Sequence, residues 1–231
     1  KAPNYTEAKS NLALALKAVG DYEGALIEYK SGLKIKRTFI GEFHIAITLL
    51  TLGQFRLGWE KHEYRWKVDP LNKTLWPIKD RELWAGQEGK RIVLWREQGI
   101  GDDIIFLSLV PEALKISESL SVYIDPRLIP LCTRSMPGIN FKPYKPGNFD
   151  GEVFDYHLPM GSLPRLFRNS ESDFEKVLKG YIKADPNRVE ALRDELGIRG
   201  KKVIGVSWKS IKSMNNLKKS LTLMDLNKVF K

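Results

Sequence analysis

The chain has 231 residues and a formal charge of +10, with 42% of residues hydrophobic and 29% charged. That balance suits one large globular domain or two small ones and excludes an intrinsically disordered chain. No apolar run reaches the roughly 18 residues of a membrane helix, and a single cysteine, Cys132, excludes a disulfide framework and a cysteine-based zinc cluster.

The opening KAPNYTEAKS has no apolar segment behind a basic one, so it is not a secretory signal. A soluble, reducing, cytoplasmic setting is expected. The chain begins on Lys1 rather than methionine, and its last residues, LMDLNKVFK, read as a helix barely begun, so a piece of a longer protein is expected. Charge is unevenly placed: Arg199–Lys231 holds nine Lys/Arg against one acid, Asp225. A basic cluster attracts phosphates of any kind, and charge alone does not choose among nucleotide diphosphates, nucleic acid and anionic lipid.

Residues 6–66 carry a helical period. Leu12, Ala13, Leu16 and Val19 share one face, Gly20-Asp21 breaks the helix, and Ala25, Leu26, Tyr29, Gly32 and Leu33 share the next. The pattern recurs 33 residues later: Ile45, Ala46, Leu49 and Leu52 precede Gly53, and Phe55, Gly58, Trp59 and His62 come after it. A period of this size built from two helices is the mark of a helical-repeat array, the alternative being two unrelated hairpins. Few repeats stand alone, so either more precede Lys1 or these two pack on the C-terminal part of the chain. The run LALALKAVGDYEGALIEYKSGL resembles a tetratricopeptide repeat at Leu12, Ala13, Gly20, Tyr22, Ala25 and Tyr29, although Arg37 replaces the terminal proline.

After the helical segment, Asp69-Pro70, Trp76-Pro77 and Gly86 punctuate a junction. Trp59, Trp66, Trp76 and Trp84 crowd around it. Such a cluster serves ligand stacking or a buried seam between two units. The seam is expected, because indoles have large areas to bury.

From Lys90 the pattern alternates. Arg91–Trp95 reads as a strand, Asp103–Ile116 as a helix, Leu120–Ile124 as a strand, Pro126–Ser135 as a helix, Ile139–Phe141 and Val153–His157 as short strands, and Asn187–Leu196 as a helix. After Gly197–Gly200, Lys202–Ser207 reads as a new strand. Alternation of this kind indicates a parallel sheet with crossover helices. The expected fold class is therefore α plus α/β: helical hairpins over residues 1–68, a junction over 69–89, a Rossmann-like domain over 90–197, and the start of a second over 201–231.

The sharpest local signal is WREQGIGDDIIF, a strand, a glycine-rich turn and a helix start. It is neither GxGxxG nor a phosphate loop of the GxxxxGK[ST] kind, and Asp102 and Asp103 would repel a pyrophosphate. A carboxylate here suits removal of a proton from a hydroxyl. The plainer reading is a helix start, with Asp102 as N-cap and Asp103 in the first turn.

GQFRLGWEKHEYRW (53–66), LWAGQEGKRIVLWREQGIGDDIIF (83–106), FDYHLPMGSLPRLF (154–167) and VIGVSWKS (203–210) together resemble a bacterial family. In it, tetratricopeptide repeats precede a glycosyltransferase-like region of the two-Rossmann (GT-B) type, akin to heptosyltransferases and O-GlcNAc transferases. The resemblance implies an inverting, metal-independent glycosyltransferase that uses a nucleotide sugar as co-substrate and needs no other cofactor. It implies that Asp102 is the catalytic base, that Lys219, with Lys218 adjacent, meets the donor phosphates, and that the donor half lies mostly beyond residue 231; Lys209 is a further candidate for stabilising the leaving diphosphate. Where the family carries arginine, Lys219 keeps the charge but loses the bidentate fork.

Glu97, Gln98, Gly99, Gly101, His157 and Ser162 are the candidates for the acceptor-side cleft. His157, at a strand end, would either bond a sugar or be satisfied by backbone. No His/Asp spacing supports Ser162 as a nucleophile, and no cluster has metal-ligand spacing. The alternative function is a non-catalytic scaffold whose repeats bind a protein. Nucleic acid is disfavoured, because the basic segment has only Trp208 and Phe230 as aromatics.

Overall fold

A computed structural model of the chain describes residues 5–68, 78, 81–147, 149, 151–175, 180–206 and 220–227. The chain forms two compact units, residues 1–183 and 184–231. The first contains helical hairpins succeeded by a parallel α/β layer, the α plus α/β class the periodicities imply.

The front is built from α1 (Tyr5–Ala18), α2 (Tyr22–Ile35), α3 (Phe39–Thr51), α4 (Phe55–His62) and the single turn α5 (Arg65–Val68). Gly20 and Gly53, each between the two helices of a hairpin, have φ of 89° and 72°, a left-handed conformation that costs a glycine nothing. Asp21 then caps α2 by accepting the Gly24 N–H at 2.8 Å, and Thr38 caps α3 through the Gly41 N–H. Ala13, Ala25, Leu26, Tyr29, Ile45 and Leu49 make one buried cluster among these helices. The small residues let the backbones approach, and the leucines and isoleucine supply the apolar area that holds them.

The α/β layer has β1 (Arg91–Trp95), β2 (Ser119–Ile124), β3 (Asn140–Pro143) and β4 (Tyr156–Pro159), all parallel, in the order β3-β2-β1-β4. The helix expected over 103–116 is two: α6 (Ile100–Leu107) and α7 (Val110–Ile116). Pro111 is the reason, since it lacks an N–H and suits only the first turn of a new helix. Likewise Pro126–Leu128 forms a 3₁₀ turn before α8 (Ile129–Ser135), with Pro130 in the first turn. The unit continues through a 3₁₀ turn, Met160–Ser162, into α9 (Leu163–Phe167) and α10 (Ser172–Glu175).

Both faces of the sheet are covered, as parallel sheets require. Ile92, Leu94, Val122, Ile124 and Leu158 face a large core shared with the crossover helices. Val93, Trp95 and Tyr123 face the other way, against Phe154 and the half-buried Trp66. The seam between hairpins and sheet therefore includes Trp66 on Trp95 (ring centroids 5.6 Å apart) and Phe55 on Phe174 (4.7 Å). Trp84 differs from the expectation. It is wholly buried in the α/β core, where its backbone N–H donates to the His157 carbonyl at 2.8 Å and its ring packs near Phe167. Trp76 lies outside the described residues.

The second unit holds α11 (Pro186–Glu195), capped by the Asp185 carboxylate accepting the Arg188 N–H, and α12 (Leu223–Leu226). The sequence pattern places α11 at the end of the first α/β domain, whereas this helix falls with the residues C-terminal to it. The strand expected over 202–207 is not formed across 202–206, and Val203 and Ile204 are exposed. An apolar β-branched run becomes a strand only beside a partner, and these residues have no ladder neighbour among those described.

Candidate functional site

In the order β3-β2-β1-β4 the chain turns from one side of β1 to the other, and open α/β sheets take ligands at that switch, outside the strands' carboxyl ends. Two segments frame the place here: residues 96–103 after β1, and Met160–Ser162 after β4.

A side chain from the helical front enters between them. Arg65 is 3% exposed. Its Nε donates to Glu97 Oε2 at 2.7 Å, and its Nη2 donates to Glu97 Oε1 at 3.0 Å and to Ser162 Oγ at 2.8 Å. Its Nη1 donates to Glu63 Oε1 at 2.8 Å and lies 3.2 Å from His62 Nδ1. The Ser162 hydroxyl donates in turn to the Glu63 carboxylate, at 2.8 and 2.9 Å. Burial by itself would lower the Arg65 pKa, but Glu97 and Glu63 outweigh it and hold the guanidinium charged. The same burial, with Arg65 alongside, pushes the His62 imidazole down to about 4, so His62 stays neutral and its Nδ1 accepts.

Gly161 is part of this arrangement. A Cβ there would stand 2.1 Å from Glu97 Oε1 and 3.3 Å from Phe106 Cε2, so the 3₁₀ turn after β4 and the Glu97 carboxylate are in direct contact. Glu97 and Ser162, expected as cleft residues, are thus brought together, but both are buried and held by Arg65.

Asp102 sits at the third position of α6, not at its N-cap, which is Gly99. Its Oδ2 accepts the Gly99 N–H at 3.0 Å, satisfying one of the free donors of a helix start. Its Oδ1 has no protein partner among the described residues. Gln98, Gly99 and Gly101 are exposed around it, and a Cβ on Gly101 would meet nothing within 4 Å. Asp103 points the other way and is buried. Burial raises its pKa to about 6 against the opposing pull of Arg96, whose Nε is 2.9 Å away. Arg96 also donates through Nη1 to Asp125 Oδ2 at 2.9 Å and through Nη2 to the Gln98 carbonyl at 2.7 Å. Hydrogen bonds from the Arg127 side chain and backbone, with Arg96 nearby, hold Asp125 far below the usual carboxylate range. A small cavity of about 170 Å³ opens beside this group, lined by Trp95, Arg96, Glu97, Gln98 and Tyr144.

His157 does not line a cleft. It is wholly buried in β4. Its Nδ1 accepts the Trp95 indole N–H at 3.0 Å, and its Nε2 faces the Arg81 carbonyl at 3.3 Å. Burial lowers its pKa, which keeps the ring neutral in the Nε2–H form that these partners need. Lys209, Lys218 and Lys219 lie outside the described residues. No group of three or more metal-ligating side chains occurs among those described, and no helix there is long and apolar enough to cross a membrane.

Arg65, Glu63, Arg96 and Asp125 are not marked by any local pattern as site residues. One signal for Arg65 is present. It stands 33 residues after Gly32, where the first hairpin has a small packing residue, and a long charged side chain there breaks the repeat.

Fold and site together define a protein of helical hairpins fastened onto a four-stranded parallel sheet at its switch point. No protein-family model matches the chain. The chain is similar to protein FlbA of Caulobacter vibrioides, with 30% identity over 235 residues covering 91% of this chain and 39% of the relative. It therefore spans about two fifths of the length of that curated relative.

Proposed function

We propose that this chain is the repeat-bearing, acceptor-side part of a glycosyltransferase of the two-Rossmann type, moving a sugar from a nucleotide-activated donor to an acceptor hydroxyl. The observation that carries the reading is Asp102. It is a carboxylate fixed at the carboxyl end of β1 by one backbone amide, with its second oxygen free at an open rim. In the proposed step the acceptor O–H gives its proton to Asp102, the acceptor oxygen bonds to the sugar's anomeric carbon, and the bond to the nucleoside diphosphate breaks. Lys209, Lys218 and Lys219 are proposed to stabilise the leaving diphosphate.

Ligand-observed NMR with a panel of nucleotide sugars, and release of nucleoside diphosphate, test this. In the full-length protein (this chain alone is expected to be inactive), Asp102→Asn should cut turnover by about 10²–10⁴-fold, the usual worth of a general base, with donor binding unchanged. Unchanged turnover removes Asp102 from the mechanism.

A second reading, a non-catalytic scaffold, draws on the Arg65 network. Glu97 and Ser162 are spent on holding the hairpins to the sheet rather than left free for a substrate. On that reading no nucleotide sugar binds at all.

A further inference from the structure

The helical front carries a second surface that the site at the sheet does not use. Lys30, Leu33 and Lys34 recur at helical spacing on one side of α2, and Arg37 lies just beyond its end. Leu57 and Lys61 recur on α4, and Ile45 and Leu49 on α3. These three faces meet around a groove of about 360 Å³. Leu33 and Leu57 give it an accessible aliphatic lining above the buried Ile45 and Leu49, and Leu57 is 42% exposed.

Its rim is cationic. Lys30 and Lys34 are exposed and make no ion pair among the described residues. Arg37 and Lys61 share one carboxylate, Glu42, which is itself buried. Glu42 is the sole acid lining the groove, against four cations, and it is already saturated.

We propose that this groove docks an acidic amphipathic helix of a protein partner, with aliphatic side chains seated on Leu33 and Leu57 and carboxylates against Lys30 and Lys34. Charge complementarity chooses the partner's sign. Shape and lining choose its class. A concave aliphatic groove accepts side chains spaced at i and i+4, whereas a flat bilayer meets a protruding apolar face. Single-stranded nucleic acid wants aromatic stacking platforms, and no aromatic side chain lines the groove. The proposal does not depend on the glycosyltransferase reading.

The test is fluorescence anisotropy with a labelled helical peptide carrying leucines at i, i+4 and i+7 on one face and glutamates elsewhere. Binding should weaken about tenfold in Lys30→Glu/Lys34→Glu, equivalent to about 1.4 kcal/mol. It should also weaken as salt shortens the screening length from about 10 Å at 0.1 M towards 3 Å at 1 M. Leu57→Ser should weaken it without changing the salt dependence. All three side chains are exposed, so circular dichroism should show the variants folded. No binding of this peptide overturns the proposal. So does equal binding of a peptide of the same composition with scattered leucines, which is charge attraction alone. Capture by phosphatidylserine vesicles, lost in the same variants, overturns it in favour of a membrane.

Discussion

The guanidinium of Arg65 grips the carboxylate of Glu97 through two hydrogen bonds, at 2.7 and 3.0 Å, and both side chains are almost wholly buried. One comes from the last turn of the helical hairpins and the other from the first loop of the α/β layer. The pair fixes the carboxyl end of β1 against the repeats at the place where such sheets bind ligands. Breaking one half of a buried pair leaves a charge without a partner, which costs about 3–5 kcal/mol. Arg65→Met should destabilise the protein on that scale in chemical denaturation, and Glu97→Gln by less, because Glu63 still pairs with Arg65. The double variant should be much less unstable than the sum. Additive losses would mean that the two side chains are not coupled.

Gly161→Ala should act through the same pair. The new Cβ would stand 2.1 Å from Glu97 Oε1, and Glu97 cannot swing aside without releasing Arg65. The expected loss is about 1–3 kcal/mol, the range for overpacking. Adding Glu97→Ala should recover the steric part of it. A fully stable Gly161→Ala protein would show that the loop after β4 yields freely.

His157→Phe should behave as a core change. It leaves the Trp95 indole N–H, now bonded to His157 at 3.0 Å, without its acceptor, at a cost of about 1–3 kcal/mol. Nucleotide-sugar binding by NMR should be unchanged at temperatures where the variant is folded. A selective loss of ligand binding in a fully stable variant would return His157 to the cleft.

Two buried groups should tilt the pH dependence of stability in opposite directions. The folded His62 titrates near 4, below its ordinary 6.5. The unfolded chain therefore takes up the proton first, and this stabilisation, about 3 kcal/mol, is complete above 6.5 and is lost as pH falls towards 4. The folded Asp103 titrates near 6, above its ordinary 3.8. Its contribution runs the other way, full below 3.8 and lost as pH rises through 6. Relative to the parent, His62→Gln should make stability fall more as pH rises from 4 to 6, and Asp103→Asn should make it rise more. Urea unfolding across this window reads both slopes, and parallel curves for all three proteins would refute the burial argument.

At the helix start, Asp102→Ala should cost about 1 kcal/mol and Asp102→Asn much less, since asparagine still accepts the Gly99 N–H. If Asp102 is the base, both should lose turnover alike. Activity that tracks stability, with Asn near the parent and Ala reduced, would leave only the helix-start role.

Periodicity made much of the architecture legible. The 33-residue spacing of Ala13 with Ala46 and Gly20 with Gly53 marks two hairpins, because helix packing needs a small residue and the turn a left-handed one at the same place each time. The β-branched run Arg91–Trp95 and its successors mark parallel strands, because a strand buried on both faces is apolar throughout. Pro111 and Pro130 likewise mark new helix starts, because a proline lacks the N–H that a helix interior needs and fits the first turn.

The site was less legible, because its partners are distant in sequence. EQGIGD announces a turn and a helix start from local chemistry alone, and the structure supplies both. Local chemistry does not show that Glu97 faces a guanidinium 32 residues earlier, that Ser162 bonds Glu63 across 99 residues, or that His157 turns its ring towards Trp95. Likewise nothing local distinguishes the run at 202–206, which has no ladder partner among the described residues, from the strand at 91–95. The sequence by itself determined most of the elements, their order and the two hairpins, since helix period, turn glycines and strand composition act over a few residues. Only the tertiary structure decided which polar groups are left free. A buried donor or carboxylate must find a partner wherever the fold brings one, and here the fold brought Arg65 to Glu97 and Ser162 and left one oxygen of Asp102 open.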